Sequence, residues 1–257
     1  MDVNQQLPDG KTLFAIALEL DDPDIAEYLL QFYRLNVTFV LPDGRTALYI
    51  AVQKDFIAVA RKIAYEHQRD GVDVNAATNA GVTPLMIAVE RNHPDMVDML
   101  CSHPLVRINQ QTHNFASALL VATDRENVDI AEKLLSYEDR INPNVQARDG
   151  STALHIAASK GNLELTRMLL AHPKTSSIEL NLKTLLPIEI AKRKGHFQIV
   201  QLLEEHMRLS ALGEWVGGSV DRSLADAQRL FQPNRASDTL QEVEDLIGEV
   251  SHSSFRR

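Results

Sequence analysis

A six-residue string recurs along this chain and constrains its fold more than any other feature. Successive copies start 34 to 37 residues apart, and each copy ends in alanine. A period of this length predicts a stack of similar units, in which each unit buries its apolar face against its neighbours. The copies read TLFAIA, TALYIA, TPLMIA, SALLVA, TALHIA and LPIEIA, and they begin at Thr12, Thr46, Thr83, Ser117, Thr152 and Leu186.

Each copy has the pattern of two short helices preceded by a turn. Thr or Ser at the start of the string can accept a hydrogen bond from an amide of the first helical turn, and Pro84 and Pro187 suit the first helical residue. Leu186 offers no such acceptor, so the sixth copy is expected to lack a side-chain cap. Apolar residues at helical spacing, as in residues 163–170, predict a second helix. Glycines two residues before the string permit a tight turn, at Gly10, Gly44, Gly81 and Gly150.

The repeated unit resembles the ankyrin repeat, whose signature is T-P-L-H-x-A at a period of about 33 residues. The fifth copy is the most similar, since residues 150–158 read GSTALHIAA and residues 160–164 read KGNLE. The resemblance covers about residues 5–207. It implies an all-α ankyrin-repeat solenoid of about six helix-turn-helix repeats with short β-hairpin fingers. The expected repeats are 8–41, 42–78, 79–112, 113–146, 147–181 and 182–207, and residues 208–257 are expected to form a linker and a C-terminal helical extension or tail.

The resemblance also implies that the chain binds another protein through its first helices and fingers. Three residues after the alanine of each string, five of the six copies carry a basic residue. Stacking would align these residues into a stripe along the concave groove, which could bind an acidic protein surface. The alternative is a set of solvated helix ends, where a cation complements the helix dipole. The basic positions are Lys54, Arg91, Arg125, Lys160 and Lys194.

The fingers supply further candidates for partner binding. Phe115 replaces the turn glycine of the fourth copy, so that finger is expected to bend differently from the others. Its ring could fill a local gap, or it could serve as an exposed anchor for a partner. The remaining finger candidates, which would border the same groove, are Arg45, Asn79, His113, Arg148, Asp149 and Lys183.

Nothing in the sequence predicts an enzyme, a cofactor or a metal site. His155 falls at the histidine of the ankyrin signature, where the ring braces the turn, and His93 and His196 fall before second helices. Cys101 and His103 form an isolated C-x-H pair, whereas a zinc site usually needs four ligands. The chain contains no GxSxG, HExxH, P-loop or GxGxxG string.

Charge and composition narrow the class of partner. The formal net charge of −9 gives no support to nucleic-acid binding. A single cysteine excludes an intramolecular disulfide and fits a reducing cytoplasm. The first ten residues do not form a secretory signal, and no apolar run approaches the roughly 20 residues that span a bilayer. We therefore expect a monomer that binds a protein.

The C-terminal end resembles the translocation signal of effectors exported by the Dot/Icm type IVB secretion system of intracellular bacteria. Those signals combine a Glu-rich block, small polar residues and a hydrophobic residue near the third position from the end. This resemblance predicts an effector delivered into a host-cell cytoplasm, which would bind a host protein as a scaffold, adaptor or competitor. The alternative is a resident cytosolic adaptor whose C-terminal helices cap the stack. The residues that carry the resemblance are Glu242, Glu244, Asp245, Glu249 and Phe255.

Overall fold

The computed structural model describes residues 3–6, 11–20, 22–32, 35–66, 71–177 and 185–215. The chain divides into two compact units, Met1–Glu204 and Glu205–Arg257. Each copy contributes a first helix, which begins at the recurring string, and a second helix. The first helices are α1 (Leu13–Glu19), α3 (Ala47–Gln53), α5 (Pro84–Glu90), α7 (Ala118–Asp124), α9 (Ala153–Lys160) and α11 (Pro187–Lys194). The second helices are α2 (Pro23–Leu29), α4 (Ile57–Arg61), α6 (Pro94–Ser102), α8 (Val128–Leu135), α10 (Leu163–Ala171) and α12 (Phe197–Trp215).

The first helices begin as the sequence predicts. The hydroxyls of Thr12, Thr46, Thr83 and Ser117 accept hydrogen bonds from the amide three residues later, over 3.2 to 3.4 Å. Leu186 lacks a side-chain acceptor, and the carboxylate of Glu189 compensates by accepting the Leu186 N–H over 2.8 Å. In a capping box the side chain of the third helical residue accepts the N–H of the cap residue, and this contact can form whatever the side chain of the cap residue is.

The core lies between helices of successive copies. Each first helix packs against the first helices beside it, as α5 does against α3 and α7, and second helices such as α6 and α8 pack in the same way. The alanine that ends the string is buried in all six copies, which leaves no room for a larger side chain between stacked helices. The predicted all-α stack of helix pairs is confirmed, and no strand longer than an isolated bridge forms within the described ranges.

The fingers are tight turns rather than ladders of paired strands. In the third copy Thr78 N–H donates to Val82 O over 3.0 Å and Gly81 N–H donates to Thr78 O over 2.8 Å. Apart from such single hydrogen bonds, the two sides of a finger pair only at isolated bridges such as Val40 with Thr46 in the part of the chain that the structure describes. The predicted β-hairpins are therefore reduced to their turns.

Phe115 does not bend the fourth finger differently, so that prediction is wrong. Its φ of 63° lies beside the 75° to 86° of Gly44, Gly81 and Gly150. Its N–H donates to Thr112 O over 2.9 Å, as the glycines do in their own turns. The turn keeps its form because a non-glycine residue can adopt the left-handed conformation at a cost of about 1–3 kcal/mol. The ring also fills no local gap, since it is 48% exposed.

Two features lengthen second helices beyond the common pattern. A π-helical turn, Lys62–Glu66, continues α4 in the second copy, which is the longest copy. In the last copy α12 continues through residues 208–215, where the composition predicts a linker. No described helix is long and apolar enough to cross a membrane.

Candidate protein-binding surface

The predicted basic stripe lies at the C-terminal ends of the first helices. We call its five residues the basic row: Lys54, Arg91, Arg125, Lys160 and Lys194. The first three are the C-cap residues of α3, α5 and α7, and the last two end α9 and α11. Lys54 is half-buried, and the other four are exposed. Because first helices of neighbouring copies pack together, the basic row follows one margin of the stack.

Two members of the basic row form ion pairs with the preceding copy. Arg125 Nη2 lies 3.0 Å from Glu90 Oε1, and Lys160 Nζ lies 3.1 Å from Asp124 Oδ1. Glu90 directly precedes Arg91 in the sequence, and Asp124 directly precedes Arg125. All four side chains are exposed, so each pair contributes about 0–1 kcal/mol. The pairs neutralise part of the positive charge of the row.

Arg91 and Lys194 have no such partner. The residues at the corresponding acidic position of the preceding copies are Gln53 and Ser159, which carry no charge. Within the described ranges no carboxylate lies within ion-pair distance of either cation. Arg193 adds a third exposed cation beside Lys194. The positive potential of the row is therefore concentrated at these places.

Some finger candidates form hydrogen bonds within or between fingers, and several are exposed. Asn79 joins its finger to the preceding one, since its backbone N–H donates to Asp43 O over 3.0 Å and its side chain donates to Pro42 O over 2.9 Å. Arg45 Nε donates to Asp43 Oδ2 over 2.6 Å within its own finger. The side chains of His113, Phe115, Arg148 and Asp149 are exposed, as is that of Asn79. Lys183 lies outside the described residues.

The signature histidine braces its turn, as the sequence predicts. His155 Nδ1 accepts the Thr152 N–H over 3.1 Å, which leaves Nε2–H to donate to Leu185 O over 3.0 Å. His196 Nε2 bonds to Ser159 O over 3.2 Å, and His93 Nδ1 lies 3.5 Å from Asp55 Oδ2. All three contacts join neighbouring copies or stabilise a turn. The bracing role predicted for His155 is confirmed, and His93 and His196 join neighbouring copies.

His103, His172 and Cys101 are buried and serve the interior. Each histidine accepts, at Nδ1, the N–H of the residue two positions later over 3.3 Å. Burial lowers the pKa of both histidines, so the neutral ring is favoured. Burial raises the pKa of the Cys101 thiol to about 12, which makes it an unreactive thiol. Among the described residues no three His, Cys, Asp or Glu side chains are placed to hold a metal ion.

A row of asparagines between copies is the feature that sequence reasoning missed. Asn109 Nδ2 donates to Arg140 O over 2.7 Å, and its Oδ1 accepts the Asn142 N–H over 2.8 Å. Asn75 and Asn144 make the same pair of bonds to the loop of the next copy. The three residues recur 34 and 35 residues apart, and that spacing was the available signal. We call them the asparagine row.

Arg140 extends this set of contacts. Its guanidinium donates to the carbonyl oxygens of Cys101, His103 and Val106, all in the preceding copy. These carbonyls lie in the last turn of α6 and just beyond it, where helix carbonyls have no intrahelical donor. Arg140 is therefore a structural residue rather than a candidate for partner binding.

A family model described as "Ankyrin repeats (3 copies)" matches residues 67–147 and 119–210. Together the two matches span more than half of the 257 residues. The chain belongs to the ankyrin-repeat family. Ankyrin repeats are protein-binding modules, and the chain is one of them.

Known proteins with related sequences carry the same repeats in longer chains. The nuclear factor NF-kappa-B p110 subunit of Drosophila melanogaster is 30% identical over 165 residues, which are 62% of this ankyrin-repeat chain and 17% of that protein. Human Rabankyrin-5 is 27% identical over 134 residues, which are 52% of this chain and 11% of that protein. The chain thus spans less than a fifth of the length of these two relatives.

A solved structure supports the fold. The crystal structure of EF0377, an ankyrin repeat protein, matches 74% of this chain and 96% of its own with a TM-score of 0.65. The two sequences are 21% identical, so the likeness shows the fold alone. The residues of the predicted translocation signal, Glu242, Glu244, Asp245, Glu249 and Phe255, lie outside the described part of the chain.

Proposed function

We propose that this ankyrin-repeat protein binds an acidic surface of a protein partner through the basic row and the exposed finger residues. The observation that carries the proposal is that Arg91 and Lys194 are exposed and unpaired among the described residues, on the margin where the first helices end. At a helix C-terminus an exposed cation contributes only about 0.3–1 kcal/mol through the helix dipole, whereas unneutralised cations on one margin attract an acidic partner.

The proposed surface includes members of differing importance. Arg91 and Lys194 supply the attraction, because Arg125 and Lys160 already contact Glu90 and Asp124. Complementary charge of this kind mainly speeds association and selects the partner. The full proposed set, with Lys183 taken from the sequence alone, is Arg45, Lys54, Asn79, Arg91, His113, Phe115, Arg125, Arg148, Asp149, Lys160, Lys183 and Lys194.

Charge reversal at the unpaired cations tests the proposal. Proteins captured from a cytosolic extract would be purified and titrated against the unaltered chain and the Arg91→Glu/Lys194→Glu variant. We expect the affinity to fall by about tenfold or more, and the difference to shrink as salt is raised. The matched control is Arg61→Glu/Arg167→Glu, which changes the same charge at exposed residues of the second helices α4 and α10. Equal loss in both variants would refute the basic row as the binding surface.

We also propose that the partner is a host protein and that the chain is a translocated bacterial effector. The support is the sequence of the C-terminal end, with its acidic block and Phe255. A reporter fused to the full chain should be exported by a bacterium that carries a type IVB secretion system. The same fusion without residues 231–257 should stay inside. Equal export of both fusions would refute the effector role and favour a resident adaptor.

A further inference from the structure

The turn of each finger contains one residue with positive φ, which we call its corner: Gly44, Gly81, Phe115 and Gly150. The corner residue determines how closely the next finger can approach. A Cβ atom added at Gly44 would lie 2.7 Å from the backbone nitrogen of Asn79, and one at Gly81 would lie 2.9 Å from that of His113. Real Cβ atoms are essentially never found at such distances from backbone. Glycine at the corner is thus required where two fingers lie this close.

Close approach produces a hydrogen bond between neighbouring fingers. Asn79 N–H donates to Asp43 O over 3.0 Å, and His113 N–H donates to Ala80 O over 3.3 Å. The residue that donates lies two positions before its own corner, and the acceptor lies one position before the preceding corner. The equivalent pair between the fourth and fifth fingers is Arg148 N–H and Asn114 O.

That third bond is missing. Arg148 N–H and Asn114 O contact neither each other nor another hydrogen-bonding group in the described part of the chain. The fourth corner is Phe115, whose Cβ occupies the space that glycine leaves open at the other two junctions. Gln111 spans the wider junction instead, since its Nε2 donates to Phe115 O over 2.8 Å and to Gln146 O over 2.7 Å.

The wider junction contains a cavity that we call the fourth-finger notch. Its volume is about 470 Å³, and its lining includes Gln111, Phe115, Val145, Ala147, Arg148 and Gly150. The half-exposed Phe115 ring supplies an apolar wall. Arg148 is exposed and makes no ion pair with a described carboxylate. The carboxylate of its neighbour Asp149 instead accepts hydrogen bonds from Ser151 N and Oγ over 3.0 Å.

We propose that the fourth-finger notch binds an extended peptide segment of the protein partner. Arg148 lines the notch, and its N–H makes no hydrogen bond to a described residue, so it can donate to a backbone carbonyl of an extended segment seated there. An apolar side chain of the segment packs on Phe115, and an acidic side chain pairs with the Arg148 guanidinium. This inference rests on the proposed protein-binding function and assigns two of its finger residues, Phe115 and Arg148, to the binding of an extended segment.

Amide hydrogen exchange tests the opening of the notch. In the unaltered protein the Arg148 amide should exchange faster than the Asn79 amide, which is hydrogen-bonded between fingers. Phe115→Gly should let the fifth finger approach and slow Arg148 exchange by about tenfold or more. Phe115→Ala is the matched control, because it keeps the Cβ and should leave Arg148 exchange fast. An Arg148 amide that is as protected as Asn79 in the unaltered protein would overturn the inference, as would unchanged exchange in Phe115→Gly.

Peptide selection tests the occupant. A phage-displayed library of short random peptides would be selected on the full chain, and enriched peptides would be synthesised and titrated. Peptides that alternate acidic and apolar residues should lose about tenfold or more in affinity with both Phe115→Gly and Arg148→Glu. Arg167→Glu, the same charge change on an exposed arginine of α10, should leave their affinity unchanged.

The outcomes separate this inference from the proposed function. Peptides that lose affinity only with Arg91→Glu/Lys194→Glu would support the basic row and overturn the notch. Peptides that lose affinity only with the two notch variants would support the notch, whatever the fate of the basic row. Failure to enrich any peptide that distinguishes the unaltered protein from Phe115→Gly would overturn the notch.

Discussion

Successive copies are joined by polar contacts of different kinds at two margins of the unit Met1–Glu204. At the loop margin, where the second helices end, Arg140 and the asparagine row donate to and accept from backbone groups of the neighbouring copy. At the helix-end margin, where the basic row lies, the pairs Arg125–Glu90 and Lys160–Asp124 join side chains that are exposed to water.

The difference indicates which margin stabilises the stack and which is available for binding. Half-buried groups that satisfy backbone carbonyls and amides are costly to remove, because a partner that loses a hydrogen bond away from bulk water keeps the cost of its desolvation. Exposed ion pairs contribute little and can be exchanged for other charges. The helix-end margin can therefore carry residues chosen for a partner without loss of the fold.

The largest expected effect at the loop margin is that of Arg140→Met. Three carbonyl oxygens, those of Cys101, His103 and Val106, would lose a charged donor. We expect the free energy of unfolding in urea to fall by about 3 kcal/mol. Arg107→Met is the matched control at an exposed arginine of a nearby loop, and it should cost less than about 0.5 kcal/mol. Equal losses would mean that the guanidinium of Arg140 does not join the copies.

Asn109→Ala should give the next largest loss. The substitution removes a donor to Arg140 O and an acceptor of the Asn142 N–H, which together join the third copy to the fourth. The expected fall in the free energy of unfolding is about 1–2 kcal/mol. Asn114→Ala is the control, because that exposed asparagine makes no side-chain bond between described copies. If Asn114→Ala lowered the free energy of unfolding and Asn109→Ala did not, the asparagine row would not stabilise the stack.

The buried histidines make the loop margin sensitive to pH. Burial lowers the pKa of His103, a hydrogen bond to the Ala64 backbone opposes this, and the charge of Arg140 lowers it further. For His172 burial lowers the pKa, Glu138 raises it and Lys174 lowers it. Because the folded pKa lies below the unfolded value of about 6.5, stability should be complete above that pH and decline as pH falls through the folded pKa.

Unfolding in urea between about pH 7.5 and about pH 5 measures this decline. A His103→Gln/His172→Gln variant removes both rings that must stay neutral in the folded chain, so its stability should depend less on pH over the same interval. An identical pH dependence in the variant would show that other groups cause the decline.

The sequence predicts the helix pairs well because their determinants are local. The capping hydroxyl of Thr46 and the proline at position 84 each act within one copy, and the structure places them as expected. The asparagine row escaped prediction because its bonds join residues about 30 to 33 positions apart, which only stacking brings together. A loop asparagine alone does not reveal its partner.

The fourth finger shows where local reasoning fails. A bulky residue at a turn was expected to change the turn, yet Phe115 keeps the left-handed φ of 63° and the turn hydrogen bond. The altered feature is the spacing to the next finger, a property of two copies rather than one. The positions of the basic row are predictable from the repeat, whereas each ion pair depends on whether the preceding copy carries a carboxylate just before its own member of the row.

The smallest expected effects belong to the helix-end margin. Arg125→Met and Lys160→Met each remove one exposed ion pair, with Glu90 and Asp124 respectively, and should change the free energy of unfolding by less than about 0.5 kcal/mol. Urea unfolding at low and high salt checks this, since any contribution from the pairs should vanish as salt is raised. Arg140→Met, the same chemical change at the loop margin, supplies the scale. A loss at Arg125 as large as that at Arg140 would mean that the helix-end margin also holds the copies together, and its charges could not then be varied freely for a partner.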